Sequence, residues 1–98
     1  MAVKVLITRQ FKQDGVDRAH QLLKEIRSTV TLRPGYISGQ TLISGDTPNK
    51  TVVVSTWTGR NQWDEWQADP KRKDFAKKLE PLLESPEQIE VFLTGTES

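Results

Sequence analysis

Apolar and polar side chains alternate from Val3 to Phe11: Val3, Val5 and Ile7 point one way, Lys4, Leu6 and Thr8 the other. A period of two belongs to an extended strand, whose successive side chains leave opposite faces. Beyond Asp14-Gly15 the period changes. Val16, Ala19, Leu22, Leu23, Ile26 and Val30 recur at steps of three and four, with Arg18, Gln21, Glu25 and Ser28 opposite. That spacing predicts a helix with one apolar stripe, Asp14 serving as N-cap and Asp17 adding negative charge in the first turn. Arg33-Pro34-Gly35 must close it, because the residue before proline leaves the helical region and glycine turns the chain.

Two further strands, Tyr36 to Ser44 and Lys50 to Thr58, flank Gly45-Asp46-Thr47-Pro48-Asn49, a hairpin-type connection. A tryptophan-bearing helix follows, Arg60 to Ala68, capped by Thr58 or Gly59. Asp69-Pro70 is a capped restart, with proline at the first helical position. Phe75, Leu79, Leu82 and Leu83 form the inward stripe of this second segment, and Pro81 ends or kinks it. Gln88 to Thr94 reads as the last strand, before a polar tail from about residue 95. The order is βαββαβ, which predicts an α+β, ferredoxin-like domain spanning residues 1–98: a four-stranded antiparallel sheet with helices on one face. Several strands are apolar on both faces: Val52 and Val54 against Val53, Tyr36 and Leu42 against Ile37 and Ile43, Ile89 and Val91 against Phe92. Helices cover only one face, so an identical chain is expected to cover the other and make a homodimer.

Composition narrows the chemistry. Fourteen basic and thirteen acidic residues leave a net charge of +1, which argues against a dedicated nucleic-acid or membrane-surface protein. With no cysteine and one histidine, His20, neither a thiolate nucleophile nor an ordinary zinc site is expected. No stretch has the apolar length of a signal peptide or a membrane span, so the expected location is cytoplasmic. The split βαβ order is shared with RNA-recognition domains, but strand three, KTVVVSTWT, is aliphatic where those carry stacking rings. The basic run Lys71, Arg72, Lys73, Lys77 and Lys78 reads as a solvated helix face.

Arg33-Pro34-Gly35-Tyr36 at the start of strand two, Val54-Ser55-Thr56-Trp57 at the end of strand three, the Trp63 to Trp66 helix, the Asp69-Pro70 restart and the Leu79 to Leu83 close follow one another in order. In this the chain resembles the antibiotic biosynthesis monooxygenase (ABM) domain family, over nearly its whole length. The resemblance implies a dimeric α/β barrel of the ferredoxin-like class. It also implies cofactor-independent oxidation of small aromatic or quinol-type compounds, with no cofactor and no metal. Family members also include haem degraders, isomerases and proteins with signal-processing roles. The haem-degrading members use an asparagine on strand one, a tryptophan on this helix and a histidine ten residues later. Trp66 matches the tryptophan, but Thr8 and Ala76 occupy the other two positions, so the axial ligand is missing and haem degradation is not expected.

Cofactor-free oxidation asks for a dry aromatic pocket and hydrogen-bond donors to a developing oxyanion. Trp66 offers an indole N–H, Asn61 and Arg60 lie near the positive end of the tryptophan helix, and His20 is the one side chain of a type that exchanges protons near neutrality. Trp66, Asn61 and His20 are therefore the catalytic candidates, and Arg9, Trp63, Tyr36 and Trp57 the candidates for binding a small hydrophobic or aromatic ligand. Each has a plainer reading. The tryptophans supply core area, His20 flanks the stripe of the first helix, Arg9 pairs at an interface and Tyr36 braces a turn. The corresponding alternative is a non-catalytic dimeric module that binds a small molecule or only a partner chain.

Overall fold

A computed structural model describes residues 1–95. Four strands, β1 (Val3–Gln10), β2 (Tyr36–Ile43), β3 (Lys50–Trp57) and β4 (Gln88–Leu93), and three helices, α1 (Val16–Val30), α2 (Arg60–Ala68) and α3 (Pro70–Leu79), occur in the expected order. The sheet is antiparallel in the order β2-β3-β1-β4, so the first strand is central and pairs with both β3 and β4. The polar tail expected from about residue 95 lies, from residue 96 on, outside the described residues.

Alternation on β1 decides the two faces. Val3, Val5, Ile7 and Arg9 are buried. Their register partners Trp57, Ser55, Val53 and Thr51 on β3 share that side, as do Ile89 and Val91 on β4. The helices pack here, and their buried side chains, among them Val30, Trp63, Trp66, Ala19, Leu22 and Leu79, complete the core. The other face presents Leu6, Val52, Val54, Leu42 and Phe92. Leu42 is 45% and Phe92 48% exposed, an apolar stripe on a face the three helices leave open.

Two local expectations are corrected. Asp14 does not cap α1. A 3-10 turn, Gln13–Gly15, runs directly into the helix, whose N-cap is Gly15, with no side-chain cap bond. The 3-10 turn is anchored where Lys12 N–H donates to the Leu82 carbonyl, and Gly15 packs on Leu82. The second correction concerns β2. Tyr36 and Leu42 do not share a face, because a bulge between Tyr36 and Ser38 resets the register. Tyr36 pairs with Trp57 and joins Gly39, Thr41 and Ile43 on the helix side, leaving Leu42 on the open side.

Other turns follow their residues. Gly35 has φ 84°, and a side chain there would collide with Gln62, so both the backbone and the space require glycine. Its carbonyl accepts from Thr58 N–H at 2.8 Å, tying the start of β2 to the end of β3. Asp69 caps α3 as expected, its carboxylate accepting from Lys71 N–H at 2.8 Å. Pro81 sits in the 3-10 turn Glu80–Leu82, which ends the helix.

Candidate functional site

Between α1, α2 and the sheet lies a cavity of about 60 Å³ that opens beside the edge strand β2. It is walled by Trp57, Trp63, Trp66 and Tyr36, floored by Ile7, Val53 and Ser55, and flanked by Ile26 and Val30 of α1. A water takes about 30 Å³ of liquid, whereas pockets for drug-sized ligands run to several hundred. The tryptophans thus largely fill the space they line: Trp57, Trp63 and Trp66 are at most 4% exposed.

Each ring is held by its neighbours. Trp57 stands edge-on to Tyr36 at 5.3 Å and to Trp63 at 5.8 Å, and its indole N–H donates to Ser55 Oγ at 3.1 Å. Arg72 stacks over Trp63 at 5.6 Å and Arg33 over Trp66 at 5.5 Å. Arg33 is fixed in turn by Asp69 at 3.2 Å, so the residue that caps α3 also steadies the cation on Trp66.

Besides Ser55 and the β2 residues Gln40 and Thr41, polar side chains border this space at its mouth and at its deep end. At the mouth, Arg27 Nη2 donates to the Gly39 carbonyl at 2.9 Å, linking α1 to β2. Beside it, the Tyr36 hydroxyl lies so close over Gly39 that any side chain there would displace it. Burial pushes the Tyr36 phenol above its ordinary value, with the Arg27 charge opposing, so at neutral pH it carries its proton and can donate. At the deep end is Arg9, whose side chain is 6% exposed and whose Nε donates to Glu87 at 2.9 Å. Arg72 reaches the other oxygen of Glu87 at 3.3 Å. Burial pulls the Arg9 guanidinium down and Glu87 draws it back up, with a net lowering. Burial also raises the Glu87 carboxyl, but Arg9 and Arg72 outweigh it and hold that carboxyl below the usual glutamate range.

Five of the residues singled out from the sequence therefore meet at one cavity: Arg9, Tyr36, Trp57, Trp63 and Trp66. His20 and Asn61 do not. Both are exposed, and neither lines the cavity. One residue on an α-helix is about 100° of rotation. His20 is one step past buried Ala19 and Asn61 two steps before buried Trp63, so both turn to solvent. Arg60 is likewise exposed, paired with Asp64 at 3.2 Å. Ser55, Arg27, Arg72 and Glu87 were missed. Of these, Glu87 had a signal: Arg9 falls in line with Val3, Val5 and Ile7, and a charge on a buried face demands a partner.

The family described as Antibiotic biosynthesis monooxygenase matches residues 2–78. The chain belongs to this family, and its four-stranded antiparallel sheet and helices have the ferredoxin-like ABM fold. Among solved structures it is similar to Rv0793 from Mycobacterium tuberculosis, at 19% identity and TM-score 0.90, covering 100% of this chain and 99% of that one. It is also similar to SnoaB, a cofactor-independent oxygenase from Streptomyces nogalater, at 16% identity and TM-score 0.87, covering 98% and 95%. A conserved protein from Methanosarcina mazei Go1 matches at 17% identity and TM-score 0.89, covering 94% and 91%. No curated protein matches the sequence. Among the described residues, no helix is long and apolar enough to cross a membrane.

Proposed function

We propose that the protein is a homodimeric, cofactor-independent oxygenase of small phenolic or quinol-type compounds. The observation that carries this reading is an aromatic-walled cavity holding a protonated phenol, Tyr36, and a guanidinium, Arg9, with tryptophans on the remaining wall. Likeness to SnoaB, a cofactor-independent oxygenase, supports the reaction class. The open stripe of Leu6, Leu42, Val52, Val54 and Phe92 supports the dimer, because a second sheet would remove it from water.

In this reading the substrate supplies all the electrons. An activated ring methylene or phenol loses a proton to water, the carbanion or phenolate passes an electron to dioxygen, and the resulting radical and superoxide combine at carbon as a peroxide anion that takes a proton back. Loss of water then leaves a carbonyl, one oxygen atom remaining in the product and the other leaving as water. The protein's part is to exclude solvent, orient the ring and stabilise the anion. Trp66 orients the ring, while Tyr36 and Arg9 donate to the anionic oxygen. The reading gives no role to His20 or Asn61.

The test is oxygen uptake by the purified, metal-free protein with hydroquinones, naphthols and anthrones, run beside Trp66→Phe. Protein-dependent uptake that falls in the variant is the expected outcome. Uptake equal to buffer across the panel would sink the oxygenase. The small resting volume favours one second reading, a domain whose job is the dimer itself and whose tryptophans fill the space, which the absence of both uptake and saturable binding would support.

A further inference from the structure

The cavity wall carries positive charge and no carboxylate. Arg9 stands at the deep end and Arg27 at the mouth, and every other lining residue is apolar or neutral. Behind Arg9, Arg72 draws on the same acid, so two guanidinium groups, 6% and 11% exposed, share the single carboxylate of Glu87. Among the described residues no second acid pairs with either guanidinium, so one positive charge at the edge of the interior is left unbalanced. Buried charge without a counter-charge is unfavourable, and the face of Trp63 under Arg72 offsets only part of it.

The space for a counter-charge adjoins these groups. Ile7, Arg9, Ile26 and Trp66 line both the main cavity and a smaller void of about 30 Å³ bordered by Arg72 and Glu87. The two voids therefore meet at Arg9. Its Nε–H is committed to Glu87. A guanidinium has five donors, so the fork keeps capacity for a second, anionic acceptor.

We infer that the cavity selects aromatic ligands carrying an anionic oxygen, a phenolate or an aryl carboxylate, and that Arg9 is the residue making the selection. The inference rests on the cavity being a ligand site, as argued above, but it does not require turnover. Bound this way, the ring lies against Trp66 and Ile26 and the anionic oxygen completes the group that Arg9, Arg72 and Glu87 leave one charge short. Glu87 is then a positioning residue: it holds Arg9 by Nε and aims the rest of the fork at the cavity. A neutral ring of the same size gains the apolar contacts and leaves the charge unbalanced. The lowering of Arg9 by burial and by Arg72 is the same imbalance seen from the proton's side.

The experiment compares 2-naphthoate with its neutral counterpart 2-naphthamide, by calorimetry and by quenching of tryptophan emission. Wild-type protein is expected to bind naphthoate about tenfold or more tightly, since hydrogen bonds to charged groups reach that size. Arg9→Gln should erase the ratio, and Glu87→Gln, whose amide oxygen still accepts from Arg9 Nε while the competing charge is gone, should keep or raise it. Bound 2-naphthol should show naphtholate absorption at a lower pH than free naphthol. Equal affinities for the two naphthyl ligands in the wild type would overturn the inference, with no variant required. So would a preference that survives in folded Arg9→Gln, or failure of both ligands to bind. Oxygen uptake with neutral hydroquinones but no preference for naphthoate would leave the oxygenase standing and this inference refuted. An Arg9-dependent preference without uptake would do the reverse.

Discussion

Two clusters lie under the helices, and they are built differently. Toward α2, Val3, Val5, Ile7, Val30, Trp57, Trp63 and Trp66 pack together, and all but the two valines of β1 border a void that also admits Ser55 and Arg9. Toward α3, Phe11, Ala19, Leu22 and Leu79 pack with Val16, Leu82 and Leu83. The second is an ordinary apolar core. The first spends its three largest side chains on a wall, where rigid rings meeting edge to face leave gaps that flexible aliphatic chains would close. One end of the layer makes the chain fold, and the other makes it able to hold something.

That contrast predicts unequal responses to mutation. Leu79→Ala, in the aliphatic cluster, should cost about 3–4 kcal/mol by urea unfolding, within the range for buried leucine truncation. Trp66→Phe, beside an existing void, should cost only about 1–2 kcal/mol. Equal losses would mean that the tryptophan end is as tightly packed as the other. Between these two in size is Glu87→Gln, which leaves Arg9 and Arg72 without their acid and should cost about 2–3 kcal/mol near neutral pH. The same carboxylate gives a pH signature. Its proton affinity is lower in the folded chain, so the unfolded chain takes up the proton first as pH falls. Its contribution is complete above about pH 4.3, the unfolded glutamate value, and disappears as pH drops through the lower folded value. Wild-type stability should fall in that window more steeply than that of Glu87→Gln, and parallel curves would remove the acid from the ledger. Gly39→Ala belongs with Trp66→Phe among the smallest effects, at about 1–2 kcal/mol, because a methyl there displaces the Tyr36 hydroxyl. Near-ultraviolet dichroism should report the disturbed Tyr36–Trp57 pair, and an unchanged spectrum would place Tyr36 elsewhere.

The βαββαβ order could be read in the sequence because its signals are local: a period of two, a period near three and a half, and Pro-Gly or Asp-Pro at the joints. Local reading failed where the cause was tertiary. Asp14 has the chemistry of an N-cap, but the packing of Gly15 on Leu82 carries the chain into the helix without a break. The bulge after Tyr36 has no residue signature, yet it moves that ring from the open face into the cavity. The aromatic half of the site was legible, since tryptophans announce themselves. Of the charged half only Arg9 was picked out, because its partner Glu87 is 78 residues away and only strand pairing brings the two together. His20 and Asn61 attracted notice for their chemistry, but the helical rotation that exposes them follows from neighbours whose burial is known only in the fold.

The central position of β1 has a consequence for how the protein is made. Val3 finds one lateral partner in Trp57 and the other in Leu93, so both edges of the first strand wait for segments from the middle and far end of the chain. At about 5–20 residues per second, β3 emerges from the ribosome some seconds after β1, and β4 follows later still. During that interval Val3, Val5 and Ile7 form an apolar strand with two open edges, the feature that invites pairing with another chain. Of the two positions between them, Lys4 blunts such pairing and Leu6 does not. Both edges of β1 thus stay open until β3, which ends at Trp57, has been added.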